Sequence, residues 1–284
     1  MSGSLHFEAP TALEYFAALV ADDATLPVLE AAVAVTQDEV PDLDVQGVLA
    51  QIDRLADRLC RRIPADAAPL QRLRLLNRYF FQELGFAGNV NDYYDPCNSY
   101  LPEVLKTRRG IPLTLALLYI ELATQAGLQA QGVSFPGHFL VRLPLNSGTV
   151  FIDVYGGGAT LSTEDLRQRL RATLPGESDP PLAPYLRAAR EREILARMLH
   201  NLKAIHWQAQ QWVAALEVVN RLVDLLPEAA QERLDRAQLY ERLECPRAAA
   251  ADMVAYLSLS ASPPDAAEVN RRLASLKQAA SRLH

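Results

Sequence analysis

A histidine and an aspartate, His138 and Asp153, are the pair of side chains in this sequence best suited to chemistry. In hydrolases and transferases, a carboxylate orients an imidazole, and the imidazole activates a nucleophile. The alternative is a purely structural hydrogen bond between the two residues at the edge of a sheet. Their spacing alone is compatible with both interpretations.

The segments that carry the pair predict a hairpin. Residues 138–143 and 149–155 are rich in apolar and β-branched side chains, and they flank the turn-like sequence Pro144-Leu145-Asn146-Ser147. If Leu143 pairs with Gly148, antiparallel counting puts the histidine directly opposite the aspartate. Opposite residues share one face of a sheet and lie close together, so we expect a hydrogen bond between the two side chains.

A polar stretch upstream, residues 89–99, supplies other candidate walls of a cleft. Asp92, Asp95 and His138 could hold a divalent ion, but their spacing matches no strong metal motif and a hydrogen-bonded loop is simpler. Arg109 could bind an acidic group of a partner or pair with Asp95. The predicted cleft, which needs no metal and no cofactor, comprises Asp92, Tyr94, Asp95, Cys97, Asn98, Arg109, Pro112 and Thr114.

Helices are predicted on both sides of this stretch. Pro112 suits the first turn of a helix, where its missing N–H is not needed. The apolar run from there to Ala126 occupies nearly every face and stops at Gly127, which predicts a central, buried helix. The first ninety residues also carry apolar side chains at helical spacing, with Thr11 as a possible cap and residues 69–84 as one helix.

Bulk properties narrow the class of protein. A chain of 284 residues is long enough for about two domains. The net charge of −6, with both signs interspersed, argues against nucleic acid as a partner. The start of the chain has no basic leader, and no apolar run is long enough to cross a membrane. Three scattered cysteines suggest a reducing compartment. We therefore expect a soluble, cytoplasmic protein.

The region after the Pro- and Gly-rich segment 174–183 is weakly repetitive. Similar residues recur 34 positions apart, as in the pairs Ala214 and Ala248, Ala215 and Ala249, and His206 and Tyr240. This is the period of tetratricopeptide repeats, in which small residues lie where paired helices approach closely. Such repeats commonly bind proteins or peptides.

The central segment resembles the transglutaminase-like superfamily, whose core has a G-x-C helix start, an alanine-rich helix ending in A-G, a strand His and a strand Asp. Gly110 falls on the family glycine, and His138 and Asp153 fall on the family His and Asp. Residues 89–153 resemble most closely the bacterial SirB-one family, in which such a domain precedes tetratricopeptide repeats. The motifs that carry this resemblance are Asp92-Tyr93-Tyr94-Asp95-Pro96, Asn98-Ser99, Arg109-Gly110-Ile111-Pro112 and Pro136-Gly137-His138-Phe139-Leu140-Val141-Arg142.

The resemblance implies an α+β fold with a papain-like core and a small antiparallel sheet. We predict a helical N-terminal part over residues 1–88, a transglutaminase-like core over 89–173 and a tetratricopeptide-like helical domain over 184–284.

The same alignment puts Pro112 where the family has its nucleophilic cysteine. Losing the nucleophile of a triad can cost about as much as losing the whole triad, on the order of a millionfold in rate. We therefore expect a non-catalytic scaffold that binds a protein or peptide. The alternative is a hydrolase or acyltransferase that uses the His-Asp pair with an unconventional nucleophile, Cys97 or Thr114.

Overall fold

The computed structural model describes residues 10–145, 148–174, 180–260 and 264–281, and it has the predicted α+β architecture. Contacts divide the chain into two compact units. The cleft unit comprises Pro27–Thr36 and Asp42–Met198, and the repeat unit comprises the residues up to Leu26, Gln37–Pro41 and the chain from Leu199 onwards.

Some predictions fall outside what these residues test. The predicted turn residues Asn146 and Ser147 lie outside the described residues, as does part of the predicted boundary segment, residues 175–179. The predicted domain boundaries at residues 88, 173 and 184 stay a prediction.

In the described residues before the polar stretch, the α-helices are α1 (Ala12–Leu19), α2 (Val28–Ala34), α3 (Val45–Cys60) and α4 (Pro69–Asn77). Thr11 caps α1 as predicted, because its Oγ1 accepts the N–H of Glu14 at 3.2 Å. The prediction of one helix over residues 69–84 is wrong in its second half, where Arg78–Glu83 forms a π-helical turn. This wider turn lets two successive rings, Phe80 and Phe81, both contact the ring of Tyr119.

The middle of the cleft unit is one buried helix, α6 (Pro112–Gln125), with Pro112 in its first turn as predicted. A short helix, α5 (Leu101–Thr107), and the two-residue strands β1 (Ala87–Gly88) and β2 (Arg109–Gly110) lead into it. Strands β1 and β2 pair in parallel. The N-terminal end of α6 is thereby fixed next to the polar stretch.

An antiparallel sheet follows, with the strand order β3 (Gln131–Val133), β4 (Leu140–Leu145), β5 (Gly148–Asp153) and β6 (Ala159–Leu161). Strand β4 packs against α6. The predicted register is wrong by two residues, because Leu143 pairs with Val150 and Leu145 pairs with Gly148. Pro144 and Leu145, which the prediction assigned to the turn, continue β4 instead. At its other end β4 begins at Leu140, so His138 precedes the strand.

Helix α7 (Thr163–Thr173) covers one face of this sheet. Leu166 and Leu170 from the helix pack with Val133, Phe135 and Leu140. Arg169, which precedes Leu170, lies at the edge of the sheet where β5 ends.

Five helices form the C-terminal part: α8 (Glu191–Gln208), α9 (Trp212–Leu225), α10 (Ala230–Arg242), α11 (Pro246–Leu259) and α12 (Ala266–Ser281). Their borders repeat, since α9 and α11 begin 34 residues apart and also end 34 residues apart. The division between the two units falls inside α8, after Met198. Within the repeat unit, α1 packs against α9. Of the helices described, none combines the length and apolar character needed to cross a bilayer.

Candidate functional site

The expected hydrogen bond between His138 and Asp153 is present. Nε2 of His138 lies 2.8 Å from Oδ1 of Asp153, and their side chains are 17% and 5% exposed. The geometry differs from the cross-strand pair we predicted. His138 sits in a turn whose backbone N–H donates to the carbonyl of Phe135, and Asp153 is the last residue of β5. The turn bends back over the end of the strand and so brings the imidazole to the carboxylate.

Three groups hold the Asp153 carboxylate. Besides His138, Nη2 of Arg169 lies 2.9 Å from Oδ2, and the backbone N–H of Gly156 donates to Oδ1 at 2.9 Å. A Cβ at Gly156 would stand only 2.9 Å from Oδ2, so glycine allows this approach. Burial raises the pKa of Asp153, but the hydrogen bond and charge of His138, the Gly156 N–H and the charge of Arg169 outweigh burial and lower it to about 2. The carboxylate is ionised at neutral pH and orients the imidazole.

The hydrogen bond that the structure describes for the His138 ring is the one from Nε2 to Asp153. Among the residues that the structure describes, no thiol or hydroxyl hydrogen-bonds to this imidazole. The nearest ring is Tyr155, whose centroid lies 6.1 Å away in an edge-on arrangement. The carboxylate and imidazole thus have the relative arrangement in which an aspartate orients a histidine.

The side chains at the start of α6 are buried and bonded within the protein. Pro112 is buried and carries no nucleophile. The hydroxyl of Thr114 is also buried, donates to the carbonyl of Asn98 at 2.7 Å and accepts the N–H of Ile111 at 3.2 Å. Because these bonds hold the helix start against the polar stretch, the structure argues against Thr114 as a nucleophile.

Asn98 organises the polar stretch from inside. Its buried amide Nδ2 donates to the carbonyls of Asp92 at 2.6 Å and Tyr93 at 3.3 Å, and its Oδ1 accepts from Asn89 at 3.0 Å. A buried amide bonded this way fixes the path of the backbone. We expected Asn98 as a wall of the cleft, and the structure gives it this supporting position instead.

The expected ion pair between Arg109 and Asp95 is not formed. Nη1 of Arg109 donates to the carbonyls of Gly85 and Arg108, at 2.9 and 3.0 Å, and Oδ1 of Asp95 accepts the backbone N–H of Cys97 at 2.9 Å. The first of these carbonyls follows the π-helical turn, and the second belongs to the residue that ends α5. Arg109 and Asp95 thus have separate local partners, and the prediction that they pair is wrong.

Two further cleft candidates, Asp92 and Cys97, lie exposed on the polar stretch. The cysteine is held in a short 3₁₀ turn, Pro96–Ser99, and forms no disulfide. Within the described ranges no three His, Cys, Asp or Glu side chains are grouped closely enough to bind a metal ion.

Aromatic side chains connect the polar stretch to the His-Asp pair. Tyr155 donates its hydroxyl to the carbonyl of Asn89 at 3.0 Å, and its ring lies 6.0 Å from that of Tyr93. The ring of Tyr94 in turn lies 5.2 Å from Tyr93. Tyr94 is 71% exposed, Tyr93 39% and the neighbouring Val90 77%. We call Val90, Tyr93, Tyr94 and Tyr155 the aromatic rim.

The sequence matches two known families. The sequence profile of the transglutaminase-like superfamily matches residues 46–200, more than half of the chain, and that of the tetratricopeptide repeat matches residues 202–274. The chain belongs to the transglutaminase-like superfamily.

Similar proteins cover nearly the whole chain. A UPF0162 protein from Xylella fastidiosa (strain 9a5c) is 37% identical over 265 residues, 93% of this chain and 94% of that protein. A second, UPF0162 protein PA3419 from Pseudomonas aeruginosa, is 33% identical over 253 residues, 89% and 92% of the two chains. Human F-box only protein 21 is 25% identical over 252 residues, which span 76% of this chain but 38% of that protein. No solved structure matches.

Sequence reasoning missed two arginines of this transglutaminase-like site. Arg169 lies on α7 between Leu166 and Leu170, so the apolar spacing of that helix could have indicated that it flanks the sheet. Arg197 lies on α8 and donates to the carbonyl of Phe135 at 2.9 Å and to Oγ of Ser134 at 2.8 Å. It fixes the turn that carries the histidine, and no local pattern in the sequence signals this contact.

Proposed function

We propose that this chain is a non-catalytic transglutaminase-like protein that binds a protein or peptide segment at the aromatic rim beside His138 and Asp153. The observation that carries the proposal is Pro112. It begins α6 and is buried where the family resemblance expects the nucleophilic cysteine. An oriented imidazole without a nucleophile can still donate or accept a hydrogen bond, and so it remains useful for binding.

The composition of the rim supports a protein partner. Of the eight large apolar side chains found exposed among the described residues, three belong to the rim and lie within five positions of one another. Exposed aromatic side chains are enriched at protein interfaces, because they bury much area and lose little conformational entropy. The tetratricopeptide match over residues 202–274 adds a second part of the chain that is typical of protein-binding proteins.

Two finer assignments belong to this proposal. The motifs at Asp92–Pro96 and Pro136–Arg142 support membership in the narrower SirB-one family. The mixed charge and the three dispersed cysteines support a cytoplasmic location and a partner that is neither nucleic acid nor membrane.

A photo-crosslinking amino acid tests the binding site. It replaces Tyr94 in the full-length chain, expressed in its native cytoplasm. Leu70, which is also exposed and lies on α4 of the same unit, is the matched control position. We expect protein adducts of defined mass from position 94 and none of these from position 70. Identical adducts from both positions would show non-specific capture and sink the proposal.

The catalytic alternative retains Cys97 as its candidate nucleophile, and it is tested separately. p-Nitrophenyl acetate and a fluorogenic peptide amide are offered to the wild type, Cys97→Ser and His138→Ala. We expect no turnover that depends on either side chain. Turnover that falls about a hundredfold or more in both variants would identify an enzyme and overturn the non-catalytic reading.

A further inference from the structure

A second candidate site lies in the repeat unit. A cavity of about 380 Å³ is lined by His200, Lys203, Ala204, Trp207, Gln208 and Asp235, which we call the repeat pocket. The first five recur three to four residues apart on one face of α8, and the last comes from α10. The volume falls within the range of sites that bind a small ligand or one large side chain.

The cation of the pocket is already neutralised. Nζ of Lys203 donates to Oε2 of Glu232 at 2.7 Å and also forms an ion pair with Asp235. Nε2 of His200 lies 2.9 Å from the other oxygen of Glu232. Burial raises the pKa of Glu232, but the hydrogen bonds from His200 and Lys203 outweigh it and lower that pKa. Two carboxylates thus face one ammonium, and the formal charges of Lys203, Glu232 and Asp235 sum to −1.

The sign of this charge selects the ligand. An anion would meet a lysine whose charge two carboxylates already balance, so a carboxylate or phosphate gains little there. A cation meets a net negative site with an indole wall, and the face of tryptophan is the best aromatic surface for a cation. Trp207 is held by an edge-on contact with Trp212, whose ring lies 6.1 Å away.

We propose that the repeat pocket binds the side chain of an arginine or lysine that a partner peptide presents. The aliphatic stem lies against Trp207 and Ala204, and the charged head lies at Asp235. Helices paired with this 34-residue period form an extended concave surface, along which a peptide backbone can run past the pocket. The inference rests on the proposed function, because it supplies the chemistry of one residue of the partner.

Charge and shape can be separated with matched peptides. Acetyl-Gly-Arg-Gly-amide and its citrulline isostere are titrated into the full-length chain. The indole N–H signals of ¹⁵N-labelled protein are followed by nuclear magnetic resonance, and Trp212→Phe identifies the signal of Trp207. We expect the arginine peptide to shift the Trp207 signal with a dissociation constant at least about tenfold lower than the citrulline peptide, because only arginine carries the charge.

Three variants localise the effect. Asp235→Asn should weaken the arginine peptide about tenfold or more, and Glu228→Gln, which removes an exposed charge outside the pocket, should not. Asp235 also pairs with Lys203, so Ala204→Phe, which fills the cavity and leaves every charge in place, is the second variant. It should abolish the shift while the thermal transition stays cooperative.

Four results would overturn the inference. They are equal affinity for arginine and citrulline, tighter binding of acetyl-Gly-Glu-Gly-amide, unchanged binding in Ala204→Phe, and at least about tenfold tighter binding of agmatine, which would indicate a free amine as ligand. The proposed function fails differently, through the loss of specific adducts at Tyr94. Adducts at Tyr94 with a pocket that ignores arginine would retain the proposed function and remove only this inference.

Discussion

Two buried charged side chains of the repeat unit, Arg221 and Asp252, form ion pairs with residues of the same unit. Arg221 is wholly buried, forms an ion pair with Asp38 and lies 5.5 Å from the ring of Phe16. Asp252 is held by Arg236 through two hydrogen bonds of 2.7 and 2.8 Å. These pairs join one helix or turn to the next, and their polar groups face each other rather than solvent.

In the cleft unit, the ion pair of His138 and Asp153 differs, because only the carboxylate has all its partners within the unit. Asp153 is buried and saturated by His138, Arg169 and Gly156. The other ring nitrogen of the imidazole has no hydrogen bond from a thiol or hydroxyl of the described residues. The imidazole ring lies 6.1 Å from that of Tyr155, which in turn lies 6.0 Å from that of Tyr93.

This difference separates ion pairs that bond only within the protein from a pair that, under the proposed function, lies next to a ligand. Where a charge is wholly buried and its counter-charge lies in the same unit, removal of the counter-charge should damage the fold. Where one partner keeps a ring nitrogen without a hydrogen bond from a thiol or hydroxyl of the described residues, as His138 does, removal should damage the fold less. Four predictions test the distinction, from the largest expected loss of stability to the smallest.

Asp38→Asn should give the largest loss, about 3 to 5 kcal/mol of the unfolding free energy of the repeat unit, because it leaves the Arg221 guanidinium buried without a counter-charge. Nε and Nη2 of that arginine already lack a hydrogen-bond partner among the described residues. Tryptophan fluorescence in a urea titration measures this loss of unfolding free energy. Both tryptophans of the chain, Trp207 and Trp212, belong to the repeat unit.

The control for that change removes both charges. Asp38→Asn combined with Arg221→Met should recover most of the loss, because an apolar pair of similar volume can replace a buried ion pair. A loss below about 1 kcal/mol in Asp38→Asn would show that the pair is not formed as described.

Asp153→Asn should cost less, about 1 to 3 kcal/mol, because the amide keeps some hydrogen bonds but loses the charge that faces His138 and Arg169. The effect depends on pH. The folded pKa of about 2 lies below the unfolded value near 4, so the contribution is present above about pH 4 and is lost as pH falls towards 2. Hydrogen exchange of the β5 amides measures the opening free energy of this strand. The difference in that free energy between the wild type and Asp153→Asn should vanish by about pH 2.

Asp92→Asn is the matched control for this experiment, because Asp92 is an exposed carboxylate of the same unit. Its effect should stay within about 0.5 kcal/mol at every pH. A gap between wild type and Asp153→Asn that persists unchanged at pH 2 would mean that packing, not charge, holds the turn of His138.

Local signals in the sequence predicted the local features. The Thr11 cap and the start of α6 at Pro112 each depend on one residue and its immediate neighbours, and both are present. The register of β4 and β5 depends on where the turn begins, and Pro144 appeared to mark it although it continues the strand. The His138–Asp153 bond was predicted correctly from a wrong register, because the family spacing rather than strand counting constrains the pair.

Distant contacts had no signal of this kind. Arg197 reaches the Phe135 turn from a helix some sixty positions later in the chain. The π-helical turn at Arg78–Glu83 follows from how Phe80 and Phe81 pack on Tyr119, which a sequence pattern of period 3.6 does not encode. Both features are thus decided by packing between segments that are distant in the sequence.

Pro112→Cys should leave the fold intact, since the first turn of a helix accepts a residue with an N–H. We expect the new thiol to react with iodoacetamide about tenfold faster at pH 7 than an ordinary exposed cysteine, because the family resemblance puts position 112 opposite His138 and an imidazole there would favour the thiolate. The background needs Cys60, Cys97 and Cys245 replaced by serine.

Adding Asp153→Asn to this variant should remove the advantage, because the imidazole loses the carboxylate that orients it. A Pro112→Cys thiol with the rate of an ordinary cysteine, in a protein that still unfolds cooperatively, would show that the His-Asp pair does not face the start of α6.

The smallest stability change is expected from Tyr94→Ala. The side chain is 71% exposed and its ring contact is with Tyr93, so the unfolding free energy should change by less than about 0.5 kcal/mol.

The affinity of Tyr94→Ala for the partner should change far more than its stability. An aromatic side chain central to an interface contributes about 2 kcal/mol or more, which corresponds to roughly thirtyfold in affinity. A photo-crosslinker at the neighbouring position Val90 reports partner capture in both proteins, and Leu70→Ala serves as the exposed apolar control. If Tyr94→Ala and Leu70→Ala lower the adduct yield equally, the rim contributes no more than any exposed surface. The His138–Asp153 pair would then be a remnant of the fold rather than part of a binding site.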